Sequence, residues 1–458
     1  MSSEDLSLYA HLMRRAGFGA TPKELSTYAA QGYKAVVEWL LHPEESNDVD
    51  EDLLERYYKI QWRPGWYYRM VNTGTPLNEK MTLFWHHMLA VGISKSNFHE
   101  PIRRQIGMFR RHALSDVRTV LTGVSADPAM IYWLDNQENF KDEPNENYGR
   151  ELLELFSMGV GNYTEDDVKG ATRAFTGWSF VSVIPGTTPY GSPLSPEFLY
   201  NEDQHDDEGK TFLGETDRFN GEGIIDLIVK QPATARFISR KLYDYFVSDE
   251  PPVASWNELA PQDPNAIDTL SEAYMSSGGQ IRPMLRVLFN SDFFKEARFR
   301  KVKSPTELVA GLIRLQGTHR FPETGLAKYE SATTVMGQTL LNPPTVEGWH
   351  TGPEWIDGGT LNERINFAVN EFKDGSAPGV QEIIEHLKVG GRELSPEKFV
   401  DRCLELVGFL ELEDEVREGL LRHARTDGPI SFSDSAITEG RVVRMLQLIV
   451  STREFQFA

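Results

Sequence analysis

The sharpest pattern of hydrophobic and polar positions in the chain lies at residues 144–159. At about 100° of rotation per helical residue, Asn147, Arg150, Glu151 and Glu154 fall within roughly 100° of one another. The opposite arc is apolar and carries Tyr148, Leu152, Leu153, Leu155 and Phe156. A core cannot bury the polar set without partners. The pattern therefore predicts an amphipathic helix whose polar stripe is either a solvated face or part of a polar site.

Helix-start signals recur elsewhere. Residues 21–24 and 304–307 each combine a Thr or Ser N-cap, a proline at the first helical position and a glutamate at the capping-box position. Thr164 precedes three acidic residues, which the helix dipole favours there. Strand patterns are scarce; the clearest is 177–183, with a partner expected near 197–200. The sequence predicts a mainly α fold, a large multi-helix body with long ordered loops and a small β element.

Two long segments rich in Gly, Pro and aromatic residues occupy 184–222 and 337–360. Loops of this length are usually functional or disordered, and their aromatic content favours ordered ones. The composition changes again at residues 373–379. We therefore predict a helical core domain over residues 1–370, with these two segments as loop excursions, and a C-terminal helical subdomain over 380–458.

Composition excludes several classes of partner. The formal net charge of −21 argues against a nucleic-acid partner, which needs a basic surface, and against an anionic membrane. No stretch approaches the ~18 apolar residues of a membrane helix, so membrane insertion is not expected. The chain has a single cysteine, Cys403, and no recognisable secretory signal at its N-terminus. A cytoplasmic location is the resulting prediction.

The polar stripe has two interpretations. In the first, Glu146 with Arg150 and Arg150 with Glu154 form surface ion pairs four residues apart, each worth roughly 0.2–0.5 kcal/mol. In the second, carboxylates project into a helical bundle and bind a polar ligand or a divalent metal ion. Glu151 and Glu154 are then the candidate catalytic groups and metal ligands, with Asn147 and Arg150 as binding groups.

The segment before the stripe adds further polar candidates. Asp135 and Asn136 end an apolar helix, and Asn139 and Asn145 follow within a short loop. Such a group of amides and carboxylates can either satisfy a buried network or bind a hard cation such as Ca²⁺. Asp135 and Asn136 are therefore candidate binding residues.

Histidines supply two further candidates. His86 follows Phe84 and Trp85 on an apolar helix, and it is a candidate catalytic residue or metal ligand. His87 points about 100° away from it on a helix, so the two cannot bind one metal ion from the same face. A satisfied core histidine is the alternative. His205, in an Asp-rich loop, is a candidate metal ligand, although such loops are also ordinary turn chemistry.

Basic and aromatic side chains complete the candidate set. Arg111 and His112 belong to the strongest local basic cluster, which is the counter-charge of the glutamate stripe, an anion site or a plain solvated face. Trp349 and Trp355 lie in a rigid aromatic segment that is either the wall of a pocket, a docking surface or the packing of a long loop.

Taken together, these segments resemble the bacterial domain-of-unknown-function family 1800. The resemblance covers about residues 8–370 and rests on HLMRRAGFGATP (11–22), FWH (84–86), DPAM (127–130), NENYGRELLELF (145–156), TGW (176–178), HD (205–206) and NPPTVEGW (342–349). Relatives often have a second histidine where this chain has Met88. The family carries no assigned reaction, so no catalytic role transfers.

The resemblance also bears on location and partners. Many relatives look exported and are encoded beside proteins resembling alkaline phosphatases and sulfatases, which implies a partner of that superfamily. Two functional hypotheses follow. The favoured one is a non-catalytic accessory or binding protein with a buried polar hub. The alternative is a hydrolase-type enzyme with a carboxylate and histidine site assisted by a metal ion.

Overall fold

A computed structural model describes residues 3–43, 49, 54, 62–96, 99–181, 196–321 and 324–458. Over these residues the chain is mainly α-helical, as the sequence predicts, and its strands form three small two-stranded sheets. No helix in the described part is long and apolar enough to cross a membrane.

The first part of the chain is entirely helical where it is described. Its helices are α1 (Ser3–Ala16), α2 (Pro22–Gln31), α3 (Tyr33–Leu41), α4 (Trp62–Asn72), α5 (Pro76–Met88), α6 (Ile93–Ser96), α7 (His99–Arg111), α8 (Val117–Ser125) and α9 (Pro128–Trp133). The predicted capping box at α2 is confirmed, because the Thr21 hydroxyl accepts from the Glu24 amide and the Glu24 carboxylate accepts from the Thr21 amide.

The small β element lies in the middle of the chain, after helices α10 (Asn147–Glu154) and α11 (Glu165–Ala174). Strand β1 (Trp178–Val181) pairs antiparallel with β2 (Glu197–Tyr200), which confirms the predicted pairing. Residues 182–195 lie outside the described residues, and they include positions 184–195 of the predicted loop 184–222. From residue 196 that segment is structured, because it contains β2 and the hairpin of β3 (Lys210–Phe212) and β4 (Glu215–Asp217).

The remaining elements are helical, apart from one short antiparallel strand pair. They are α12 (Gly221–Ile228), α13 (Pro232–Phe246), α14 (Pro264–Ser277), α15 (Ile281–Asn290), α16 (Asp292–Lys295), α17 (Pro305–Gln316), α18 (Ala327–Val335), α19 (Gly358–Glu371), α20 (Pro378–Lys388), β5 (Glu393–Leu394), α21 (Pro396–Gly408), α22 (Asp414–Thr426), β6 (Ile430–Ser431) and α23 (Ser435–Val450). The capping box predicted at Ser304 opens α17.

The C-terminal segment is joined to the rest of the chain by hydrogen bonds. The Ala458 amide donates to the Lys301 carbonyl at 2.8 Å, and Val302 forms a β-bridge with Phe457. The buried Arg364 guanidinium donates to the Gln456 side chain at 2.9 Å. These contacts fix residues 456–458 against residues 301, 302 and 364, and the division into a core domain and a C-terminal subdomain stays a prediction.

A buried ion pair connects three helices in the centre of the molecule. Lys80, on α5, is fully buried, and its ammonium pairs with the Glu307 carboxylate on α17 and donates to the Gly17 carbonyl after α1 at 3.0 Å. Glu307 also accepts from the Ser304 amide at 2.8 Å, which makes its capping role and its pairing role inseparable. Burial of this kind is tolerated only because each charge has partners.

Removing one partner of this pair tests how much the pair contributes to the free energy of unfolding. We expect Glu307→Gln to lower the free energy of unfolding by about 3–5 kcal/mol, because it leaves the Lys80 ammonium buried without a counter-charge. Urea denaturation followed by circular dichroism measures the change. The matched substitution Glu363→Gln, on the exposed face of α19, should stay within about 0.5 kcal/mol of wild type. Equal stability of the two variants would contradict this role for the pair.

Helices α10 and α11 approach most closely at Gly149. A Cβ atom there would lie 2.5 Å from the Thr172 Oγ1 atom and 3.1 Å from its backbone nitrogen. We expect Gly149→Ala to destabilise the protein by about 1–3 kcal/mol, because the helices must separate. Gly419→Ala, inside α22 with its nearest neighbour 3.9 Å away, should be neutral or stabilising. Thermal unfolding of both variants makes the comparison, and a stabilised Gly149→Ala would contradict the close contact.

Candidate functional site

The apolar face of α10 is buried and its polar stripe lies at the surface. Leu152 and Leu153 are fully buried, and the Tyr148 hydroxyl lies 2.5 Å from the Ser125 hydroxyl. On the other side Asn147 is exposed, and the remaining stripe residues, Arg150, Glu151 and Glu154, are half-buried. The expected buried hub is therefore wrong for the stripe, because α10 packs on the core through its apolar arc only.

Arg150 is held by carboxylates on both sides of it. Its guanidinium lies 3.2 Å from Glu146 and 2.7 Å from Glu165, at the start of α11. Glu154, which the sequence pairs with Arg150, instead accepts a hydrogen bond from the Tyr163 hydroxyl at 3.0 Å. The predicted pair with Glu146 is confirmed, and the pair with Glu154 is wrong because a tertiary partner competes successfully. The pKa of Arg150 is raised by its hydrogen bonds to Glu165 and Glu146.

Glu151 lies where negative charges accumulate. Burial raises the pKa of its carboxyl to about 7, and the charges of Glu154 and Glu347 act in the same direction, against a smaller opposing effect of Arg150. Glu347 was not among the sequence-predicted site residues, although it lies in the segment that carries Trp349. We call Glu151, Glu154 and Glu347 the glutamate cluster.

Two histidines of α5 hold the segment that carries Glu347. The Leu341 amide donates to His86 Nε2 at 3.1 Å, and the Trp349 amide donates to His87 Nδ1 at 3.3 Å. The two histidines therefore fix the segment on both sides of Glu347. Both rings are neutral, because burial lowers the pKa of each to about 3.

The turn after Glu347 depends on a glycine. Gly348 has φ of +98°, and a Cβ atom there would lie 2.5 Å from the His87 carbonyl oxygen. A side chain at this position is therefore excluded both by conformation and by space. This close approach brings the segment down onto α5 and leaves Glu347 exposed beside α10.

The metal candidates are not brought together. His86 is fully buried and its Nε2 lone pair is occupied by the Leu341 amide. His205, 5% exposed, donates from Nδ1 to the Thr176 carbonyl at 2.9 Å. Within the described ranges, no three His, Cys, Asp or Glu side chains form a group that could hold a metal ion. The expected site of Glu151, Glu154, His86 and His205 is wrong, because burial and backbone contacts fix the two histidines elsewhere.

The residues before α10 form a satisfied amide network. The buried Asn136 side chain donates to the Trp178 carbonyl at 2.9 Å and accepts from Asn139 at 3.2 Å. The Asn139 oxygen accepts from the Asn145 amide at 3.0 Å, so the network fixes the approach to α10. Asp135 is separate from it and pairs at the surface with Lys95 at 2.8 Å. Asn136 is therefore structural. Of the two alternatives open from the sequence, a buried network or a cation site, the structure shows the buried network.

The predicted basic cluster does not neutralise the stripe. Arg111 is exposed and His112 half-buried, and within the described residues neither forms an ion pair with the stripe. The neighbouring Arg110 contacts the buried Glu79, with a distance of 3.1 Å from Nη2 to Oε2. Of the three alternatives for Arg111 and His112, the described residues therefore do not show the counter-charge of the stripe.

The two tryptophans of the loop 337–360 are core residues. Trp349 and Trp355 are each 5% exposed. The Trp349 ring stacks on His87 with a centroid distance of 6.0 Å and meets His86 edge-on at 5.1 Å. Of the alternatives open from the sequence, the packing of a long loop is the one that the structure shows, because both rings pack inward and hold the loop.

A buried lysine lies within electrostatic range of the cluster. Lys241, on α13, is 7% exposed, and its ammonium lies 5.5 Å and 5.6 Å from the ring centroids of Trp256 and Phe237. Burial lowers its pKa to about 8, against the opposing charges of Asp244 and Glu347. Sequence spacing does not connect Lys241 with Glu347, because the two residues lie more than one hundred positions apart.

The raised pKa of Glu151 has a consequence for stability. The folded protein binds this proton more tightly than the unfolded chain, so stability contributed by the group falls as pH rises from about 4.5 to about 7. We expect Glu151→Gln to raise the free energy of unfolding at pH 8, by up to about 1 kcal/mol for a screened, half-exposed group, and to change it little at pH 4. Urea denaturation at both pH values measures this.

The control for this comparison is Glu215→Gln, on the exposed strand β4. It should leave stability unchanged at both pH values. A Glu151→Gln variant that is less stable than wild type at pH 8 would contradict the expectation, because its carboxylate would then make favourable contacts.

Comparison with known proteins identifies the family. A family model described as "Protein of unknown function (DUF1800)" matches residues 11–457. No curated protein and no solved structure matches the chain. The match extends past residue 370, where the short motifs end, because the C-terminal helices belong to the family without carrying such a motif. Since the matched region is nearly the whole chain, this protein belongs to the DUF1800 family.

Proposed function

We propose that the protein is a non-catalytic binding protein and that the glutamate cluster receives a cationic group of its partner. The observation that carries this proposal is the charge imbalance at Glu151. Burial raises the pKa of Glu151, the like charges of Glu154 and Glu347 add to that effect, and Arg150 is already engaged by carboxylates on both sides. A partner ammonium or guanidinium would offset that repulsion. Arg150 would not compete with it, because Arg150 is already paired with other carboxylates.

The class of partner comes from the family resemblance. Relatives are encoded beside proteins resembling alkaline phosphatases and sulfatases, so we propose a partner of that superfamily that docks through a basic side chain. The anchored segment around Glu347 supports a preformed surface, because His86 and His87 hold it on both sides. A surface that needs little ordering on binding loses less conformational entropy. A cytoplasmic location stays a prediction from the sequence.

A second candidate function is a hydrolase in which Glu151 acts as general base. The favourable observation is its pKa of about 7, since a base works best when its pKa is near the operating pH. Within the described residues, however, no three-ligand metal group accompanies it, and His86 and His87 are neutral rings tied to backbone amides. The binding proposal needs fewer additional groups, so we place it first.

The two functions predict different results for one pair of variants. We expect a tetralysine peptide to bind wild type at low ionic strength and to bind the double variant Glu151→Gln/Glu347→Gln at least tenfold more weakly, because two of three carboxylates are neutralised. Isothermal titration calorimetry measures both affinities. Glu215→Gln should bind as wild type does, which separates the cluster from the general negative charge of −21.

Equal binding by all three proteins would contradict the proposal. Hydrolysis of p-nitrophenyl phosphate or sulfate by wild type, lost in Glu151→Gln, would overturn it in favour of the hydrolase. Co-purification of a protein of the alkaline phosphatase and sulfatase superfamily with wild type but not with the double variant would support the proposed class of partner.

A further inference from the structure

A cavity of about 70 Å³ has Glu307 of the buried ion pair in its wall and none of the residues of the glutamate cluster. Its walls come from α1, α17, the end of α21 and the C-terminal segment. The charged side chains that line it are Arg14, Lys303, Glu307 and Arg314. Gly19 and Gly408 at its edge are partly exposed, so the cavity reaches the surface. Three of its four charged groups are cations in a strongly acidic protein.

The single carboxylate in the cavity wall is already engaged. Glu307 pairs with Lys80 and accepts the Ser304 amide at 2.8 Å. Its charge is therefore shared with a buried ammonium outside the cavity lining, and the pKa of its carboxyl is held at about 2 despite burial. Glu307 neutralises Lys80 and Glu24 pairs with Arg314 at 2.9 Å, which leaves Arg14 and Lys303 as the wall cations to be balanced by something else.

Arg14 and Lys303 are held by neutral carbonyls. Arg14 Nη1 donates to the Gly408 carbonyl at 2.5 Å, and the Lys303 ammonium donates to the Phe455 carbonyl at 2.6 Å. Within the described part of the chain, neither forms an ion pair with a carboxylate. The pKa of Lys303 lies well below its ordinary value because of burial and the charges of Arg14 and Arg364.

Two guanidinium N–H groups in the wall also lack acceptors. Arg14 Nε and Arg314 Nε are buried, and among the described residues no acceptor lies within hydrogen-bond distance of either. The other nitrogens of Arg314, a residue 9% exposed, bind Glu24 at 2.9 Å and the Val71 carbonyl at 2.6 Å. A buried donor without an acceptor costs about 1–3 kcal/mol, and both of these donors belong to side chains that line the cavity.

We propose that this cavity binds one small oxyanion of the phosphate or sulfate class. A single water needs only about 10–15 Å³ of such space, so a cavity of about 70 Å³ has room for a small tetrahedral anion. Arg14 and Lys303 supply its charge partners. Water would satisfy the donors but would leave the positive charge unbalanced. This inference is independent of the glutamate cluster.

Calorimetry and thermal unfolding in phosphate test the proposal. We expect inorganic phosphate to bind wild type saturably at one site, and to raise the unfolding temperature more than sodium chloride does at equal ionic strength. Parallel titration with sulfate distinguishes the two anions, because tighter binding of either one names the preferred ligand and supports the site. In Lys303→Gln and Arg14→Gln we expect at least a tenfold loss of affinity.

The matched control is Arg444→Gln, because Arg444 is an exposed arginine whose guanidinium lies 3.7 Å from Asp427. It should bind phosphate as wild type does. Lys303→Arg keeps the charge and should retain binding, which separates a lost ligand contact from a failure to fold. Absence of saturable binding to wild type, or equal affinity in Lys303→Gln, would overturn the proposal. A phosphate effect no larger than that of sodium chloride would overturn it as well.

Discussion

The buried pair of Lys80 and Glu307 is the constraint on which both functional regions depend. Lys80 lies on the same helix as His86 and His87, so the pair that positions α5 also positions the two rings that hold the Glu347 segment. On its other side Glu307 forms part of the wall of the cationic cavity. A shift of α5 would therefore move one carboxylate of the surface cluster and one wall of the cavity together, because packed interiors transmit displacement.

Negative and positive charges collect in different parts of this molecule, the negative ones at the surface and the positive ones in a cavity. The surface cluster collects like charges around Glu151, and the interior cavity collects cations around Arg14 and Lys303. The negative glutamate cluster and the positive side chains of the cavity could neutralise one another, but they belong to separate sites. Such separation opposes folding, since ionised groups are more costly away from water and near like charges. Features that lower stability in this way are often linked to binding, where a ligand restores the balance.

Local signals predicted the helices and the strand pairing, and tertiary contacts decided the site. The capping boxes at Thr21 and Ser304 follow from neighbouring residues and were readable directly. Glu347 reaches α10 only because the fold joins segments nearly two hundred residues apart, so spacing gave no indication of it. Arg150 shows the same limit at shorter range, since the i,i+4 rule identified Glu146 but could not anticipate Glu165 from the next helix.

His86 and His87 have the residue type of metal ligands, but in this fold they position the backbone of the Glu347 segment. In sequence, His86 near a glutamate stripe has the residue types of a metal site. In the fold its ring is buried, neutral and hydrogen-bonded to the Leu341 amide, so its lone pair is committed to the backbone. The glutamates consequently face the surface without His86 as a partner, while Arg150 and the buried Lys241 lie within electrostatic range of them. The same burial that removes His86 from chemistry fixes Glu347 beside Glu151, and this links core packing to the repulsion at the surface.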